Sequence, residues 1–119
     1  SASGQMSSFL DRLFFSSASL LANKPGAAIV SCRRGGASTA FDELNKYFTI
    51  SEMPVVSSRY WNMVHGHTSE DVMKDEEGVQ IMKELGRNMA WILKSIEAGK
   101  KAGVVQPVAE KKIFTNFIR

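Results

Sequence analysis

The 119 residues predict an α/β fold with parallel strands, and three observations carry that expectation. Apolar residues recur at helical spacing in three separate stretches. Between them lie two short runs rich in small and β-branched residues, one centred on Ala27-Ala28-Ile29-Val30 and one on Val55-Val56. The resulting order of helix, strand, helix, strand, helix is the alternation by which a chain builds a parallel sheet covered by helices.

The first helix is read from Met6, Phe9, Leu10, Leu13 and Phe14, which fall at i, i+3, i+4, i+7 and i+8 and so share one face, with Asp11 and Arg12 largely off that stripe. Ser3 or Ser7 is the candidate cap. The small polar residues ahead of it form a loop that offers backbone N–H groups at a helix N-terminus, a feature that serves equally as a plain cap. Asn23-Lys24-Pro25-Gly26 then reads as a turn.

The stretch from Ala27 to Gly36, A-A-I-V-S-C-R-R-G-G, changes character halfway. Its apolar half suits a strand buried on both faces of a parallel sheet. Its second half would leave the carboxyl end of that strand, the place where open α/β sheets bind ligands. Glycines there let a ligand approach the backbone, and Arg33 and Arg34 bring fixed positive charge. An Arg-Arg-Gly-Gly sequence also suits a solvated turn, and the residues alone leave both readings open.

A second helix is expected from Ser38 or Thr39, capped by Ser38, with Phe41, Leu44, Asn45 and Phe48 on one face and its end near Thr49-Ile50. Met53 to Ser57 reads as the second strand, with Pro54 near its start where a missing N–H is tolerated. The following stretch, 58–67, has no clear period and reads as a loop. Its aromatics, Tyr60 and Trp61, suit stacking on a planar ligand, a subunit contact, or covering the end of the core. His65 and His67 lack further assignable metal ligands, because Glu70, Asp71 and Asp75 equally fit a helix start; no metal is expected. The longest helix should run from about Asp75 to Ala98, with Val79, Met82, Leu85, Met89, Ile92, Leu93 and Ile96 keeping helical spacing and Trp91 read as core. Gly99 and Gly103 end it. The tail closes on Ile113-Phe114-Thr115-Asn116-Phe117-Ile118-Arg119, apolar enough that packing on its own domain or on a neighbouring subunit is expected.

Composition narrows the function classes. The 15 basic and 12 acidic residues leave a net charge of +3, spread over Arg33-Arg34, Lys100-Lys101 and Lys111-Lys112. That is too diffuse for nucleic acid, which calls for a basic stripe with interleaved aromatics. No apolar run approaches the ~20 residues that cross a bilayer, and the N-terminus lacks a signal pattern, so no membrane partner and a cytoplasmic location are expected. The single Cys32 excludes an internal disulfide and cannot alone hold an iron–sulfur cluster or structural zinc. Two short parallel strands do not make a sheet by themselves, and the chain opens without a methionine directly into helical periodicity, so a fragment of a longer domain is expected.

Three groups of residues resemble the NADPH-dependent FMN reductase family of the flavodoxin-like superfamily: Ser1-Ala2-Ser3-Gly4-Gln5-Met6 followed by Phe9-Leu10-Asp11-Arg12; Ser31-Cys32-Arg33-Arg34-Gly35-Gly36; and Met53-Pro54-Val55-Val56-Ser57-Ser58 with Tyr60-Trp61-Asn62. The resemblance covers essentially the whole chain and is to the C-terminal portion of that family, from the loop after its third strand onward. It implies the C-terminal part of a doubly wound five-stranded parallel sheet, with FMN at the carboxyl ends of the strands and often near a subunit interface. The N-terminal strands and the phosphate loop have no counterpart here, and cluster cysteines of iron–sulfur relatives would also lie in that part.

Carried over residue by residue, the resemblance places Ser1, Ala2, Ser3, Gly4, Gln5 and Met6 along the isoalloxazine ring and Ser31, Cys32, Arg33, Arg34, Gly35 and Gly36 on its pyrimidine side. Tyr60, Trp61 and Asn62 would approach a flavin or the neighbouring subunit. The implied function is an FMN-dependent oxidoreductase in which NAD(P)H passes hydride to FMN and the flavin passes electrons to an acceptor, in a homo-oligomer. No acid–base pair is required, since the cofactor carries the chemistry and the protein positions and tunes it. The isolated 119 residues are expected to bind FMN weakly and to be inactive. Cys32 has no assignable base and is read as structural or adjacent to the ring, not as a nucleophile. The alternative is a non-catalytic module that assembles through amphipathic helices and the apolar tail.

Overall fold

The computed structural model describes residues 1–117. Its order is α1 (Gly4–Leu21), β1 (Val30–Cys32), α2 (Ala37–Ile50), β2 (Met63–His65), α3 (Ser69–Val72) and α4 (Glu76–Lys101). Among the described residues β1 and β2 form a two-stranded parallel sheet, with Val30 opposite Met63, Ser31 opposite Val64 and Cys32 opposite His65. The helix–strand alternation and the parallel pairing agree with the expected α/β class.

Helix α1 forms where the spacing predicts it, but of its apolar stripe only Phe14 is buried, while Met6, Phe9 and Leu13 are exposed. Ser3 is its cap, the hydroxyl accepting the N–H of Met6 at 3.3 Å. Its inward face buries Phe14, whose ring lies 5.2 Å from that of Tyr47 and 6.0 Å from that of Phe48, so α1 packs on α2 through aromatic contacts. In turn α2 packs against both strands, while α3 and α4 pack against β2. The buried apolar residues are Phe14 of α1, Ala37 and Ala40 of α2, Ile81 and Leu85 of α4, and Ala28 and Val56 from the segments that lead towards the two strands.

Four sequence expectations are corrected, and a fifth is shifted: the first strand is Val30–Cys32 and not the Ala27–Val30 run, whose Ile29 is 61% exposed instead of buried between two faces. The second strand is not the 53–57 run. Only a single bridge, Gly26 opposite Val55, pairs there, held by the N–H of Gly26 on Pro54 O at 2.9 Å and the N–H of Val56 on Gly26 O at 2.8 Å. Pairing resumes at Met63, inside the stretch read as a loop. Val30 follows Gly26 by four positions whereas Met63 follows Val55 by eight, so the second strand extrudes four residues before it re-registers.

Second, α2 is capped by Gly36, not by Ser38. Gly36 has φ +86°, a left-handed conformation that glycine adopts without steric cost, and this lets the chain turn from β1 into α2. Third, Trp91 is largely exposed on the outer face of α4 and is not core. The same helix runs through Gly99 and stops at Gly103 alone, where φ is +89° and the N–H of Val104 bonds Gly99 O at 2.9 Å, a left-handed C-terminal turn.

Fourth, of the two packings expected of the tail, the one on its own domain does not form for its aromatics. Phe114 is 81% and Phe117 92% exposed, and Ile113 is equally open. Ile118 and Arg119 lie outside the described residues.

Candidate functional site

The chain leading into α1 is fixed by one carboxylate on α2. Glu43 accepts the backbone N–H of Ala2 at 3.1 Å on one oxygen and the hydroxyl of Ser7 at 3.2 Å on the other. Tyr47, one helical turn further on, donates its hydroxyl to Asp11 at 2.5 Å. The Asp11 hydrogen bond is the main cause of the upward shift of the Tyr47 phenol to about 12, because it holds the proton on the ring oxygen. Ser1 to Met6 therefore sit on the first half of α2 as an ordered segment, with Gln5 and Met6 exposed.

The second segment leaves the carboxyl end of β1. Ser31 and Cys32 are strand residues; Arg33, Arg34, Gly35 and Gly36 form the exposed turn into α2. The N–H of Gly66 donates to Cys32 O at 3.1 Å and closes the end of the sheet. Nothing lies within 4 Å of where a Cβ would stand on Gly35 or Gly36, so the space above this turn is open. No side chain caps α2, and the first turn's N–H donors, those of Ala37, Ser38 and Thr39, have no hydrogen-bond acceptor among the described residues. Glu43 lies six residues along α2 from Ala37, about 9 Å at 1.5 Å per residue. The two sequence-predicted loops thus meet along the first two turns of one helix.

Tyr60, Trp61 and Asn62 belong to the extruded segment and stand elsewhere. The segment is bolted onto α4: the Ser58 hydroxyl donates to Ile81 O at 2.7 Å, the Asn88 amide donates to Ser57 O at 2.8 Å, and Arg59 pairs with Glu84 at 3.5 Å. Asn62 is buried, its amide donating to Ala28 O at 2.9 Å while its backbone carbonyl accepts the N–H of Val30 at 2.9 Å, so it pins β1 to the start of β2. Tyr60 and Trp61 point outward with ring centroids 5.2 Å apart. They line a cavity of about 240 Å³ with Met63, His65, Asp75, Glu77, Gly78 and Ile81, and no residue of the two loops lines it.

Asp75 organises the far wall of that cavity. One carboxylate oxygen accepts the N–H of Gly78 at 2.9 Å, capping α4, and the other accepts the N–H of His65 at 2.7 Å. These two donors, that of Gly78 first, hold its pKa below the usual carboxylate value. Among the described residues no group of three or more His, Cys, Asp and Glu side chains is placed to hold a metal ion.

Glu43 and Gly78 are the residues that reading along the chain missed. Nothing in its spacing distinguishes Glu43 from a solvated carboxylate, because its partners are 36 and 41 positions away. Gly78 looks like a weak point in a helix, yet a Cβ there would collide with the Asp75 carboxylate and Val64.

The family model for NADPH-dependent FMN reductases matches residues 1–68. The matched stretch contains both loops, the whole sheet and the extruded segment, and it ends at the cap of α3. A comparison with curated proteins finds no match, and a comparison with solved structures finds none either.

Proposed function

Because this chain belongs to the NADPH-dependent FMN reductase family, we propose that its two loops, Ser1 to Met6 and Ser31 to Gly36, hold the isoalloxazine ring of FMN in an oxidoreductase that draws on NAD(P)H. The family binds FMN and acts as an oxidoreductase, with the flavodoxin-like α/β fold that the parallel strands agree with. The single observation that carries the site assignment is the convergence of both loops on the first two turns of α2, with open space above Gly35 and Gly36 and unused N–H donors beside it.

The donor chemistry fits the flavin. The pyrimidine half of the ring carries carbonyl oxygens and ring nitrogens that accept hydrogen bonds and gather negative charge when the ring is reduced. The N-terminus of α2 presents N–H groups and a positive dipole end, and Arg33 and Arg34 add full positive charge with planar donor sets. FMN, when bound, supplies the hydride-accepting centre and the electron store. The chain's own contribution is to orient the ring between the loops and to favour its anionic reduced form through these donors. Neither Tyr47 nor Cys32 needs to move a proton for this.

The unpaired edges of a two-stranded sheet support the further proposal that these residues form the C-terminal part of one larger flavodoxin-like domain. The exposed apolar tail supports assembly with further copies.

The test is a titration of FMN with the purified protein, followed by quenching of flavin fluorescence, together with NADPH oxidation under anaerobic and aerobic conditions. Saturable binding that weakens in Arg33→Ala and Arg34→Ala supports the reading. Binding that is indifferent to both arginines and to Gly36→Val removes it.

A further inference from the structure

We propose that the cavity between the extruded segment and the start of α4 binds an organic cation of the primary alkylammonium class, with the Tyr60 and Trp61 rings against the cation and Glu77 as its counter-charge. This goes beyond the flavin site, since neither flavin loop lines the cavity.

The cavity is built, not incidental. Four residues more than the sheet register requires are spent on the extrusion, and three side-chain contacts hold it rigidly on α4: Ser58 to Ile81, Asn88 to Ser57 and Arg59 to Glu84. What that rigid segment displays is a pair of large aromatic rings, 56% and 53% exposed, with their centroids 5.2 Å apart. Large aromatics held half open beside a cavity give up apolar burial unless something covers them. Their π faces attract cations.

The charge around the cavity selects the same class. A helix N-terminus ordinarily favours anions, but here Asp75, Glu76 and Glu77 occupy the cap and first turn of α4 and reverse the local sign. Both Asp75 oxygens already accept backbone N–H groups. The Glu77 carboxylate has no hydrogen-bond or ion-pair partner among the described residues and lines the cavity. Arg59, the nearest cation on the extruded segment, is committed to Glu84. The other titratable groups on the wall are the Tyr60 phenol and His65, the latter 3.5 Å from Asp75 through Nδ1. A volume of about 240 Å³ admits a headgroup or a single side chain and not a nucleotide.

An alkylammonium group reaches such a cavity either as a free amine or as a lysine side chain, and the experiment separates the two. The Trp91→Phe variant leaves Trp61 as the sole tryptophan. Its emission is titrated with n-butylammonium chloride, with n-butanol as the neutral isostere, and with a capped Gly-Lys-Gly peptide and its Nε-acetyl form. The expected result is a saturable change with at least one of the cations, no change with butanol or the acetylated peptide, and binding at least about fivefold weaker in Glu77→Gln, the size of one exposed ion pair. Butylammonium alone binding assigns a free amine; the lysyl peptide binding the tighter assigns a protein-borne lysine. A response shared by butanol, a response that does not saturate, or affinity unchanged in both Glu77→Gln and Tyr60→Leu overturns the proposal. Far-ultraviolet circular dichroism confirms that each variant is folded.

Discussion

The Asp75 carboxylate accepts the backbone N–H of His65 at 2.7 Å with one oxygen while the other caps α4 through Gly78 at 2.9 Å, so a single side chain ties the end of β2 to the start of the longest helix. Asp75→Ala should cost about 1–2 kcal/mol, the upper part of the range for losing an N-cap, because a strand donor is lost with it. The folded-state pKa of Asp75 is depressed, so the stabilisation is fully present above the unfolded value of about 3.9 and is lost as pH falls through the lower folded value. Urea denaturation between pH 7 and pH 2 should show the wild-type advantage over Asp75→Ala shrinking below about pH 4. An advantage that is flat with pH would show that the cap is not ionic.

Tyr47 and Asp11 make a second cross-helix tie, between α2 and α1. The phenol is raised from its ordinary value to about 12 by that hydrogen bond. A raised folded-state value means that the contribution to stability is present below about pH 10 and lost as pH rises towards 12. In a Tyr60→Phe background Tyr47 is the sole tyrosine. Ultraviolet titration of that variant should find it ionising near 12, and Asp11→Asn should bring it back towards the ordinary value. A titration unmoved by Asp11→Asn would break the link between the helices.

Glu43 is expected to matter to cofactor affinity more than to folding. Glu43→Ala removes the two hydrogen bonds that order Ala2 and Ser7, which fix the chain ahead of α1 and its first turn and not the packed core. FMN affinity should fall about tenfold or more as the first loop loosens, with little loss of melting temperature because the Phe14–Tyr47 packing remains. Equal losses in a flavin titration and in thermal melting would assign Glu43 to the fold alone.

Gly66 and Gly35 should behave oppositely. A Cβ on Gly66 would stand 2.5 Å from the backbone nitrogen of Val72 and 2.9 Å from the Asp71 carbonyl carbon, so Gly66→Ala must displace α3 from the sheet end, at a cost of about 1–3 kcal/mol. Gly35 meets nothing within 4 Å, and Gly35→Ala should leave the melting temperature unchanged while reducing FMN affinity through crowding of the open turn. Melting curves and flavin titrations of the two variants check both statements; a Gly35→Ala protein with intact affinity would move the flavin away from this turn.

Much of the fold was legible along the chain because the signals are local. Helical spacing identifies α1, α2 and α4, Ser3 caps α1, Asp75 stands at the start of α4, and the glycine-rich basic turn follows a strand, although that strand takes in Ser31 and Cys32 and leaves out Ala27 to Ile29. The loops of the candidate site were legible as residues, from their types and from their likeness to a family whose model covers 1–68. Their convergence on α2 was not, because it runs through Glu43, whose partners lie far away in sequence.

The chain by itself determined which segments become helices, where positive charge and glycine follow β1, and which residues carry the flavin reading, since each depends on near neighbours and on periodicity. Tertiary structure alone decided where β2 lies. Val55 and Val56 have the better strand composition, but β1 gives them only the Gly26 bridge; full pairing waits for Met63, once Asn62 has buried its amide on Ala28 and re-set the register. Ladder hydrogen bonds to a partner strand select the register, and a partner more than thirty positions away leaves no periodic trace in the segment it selects.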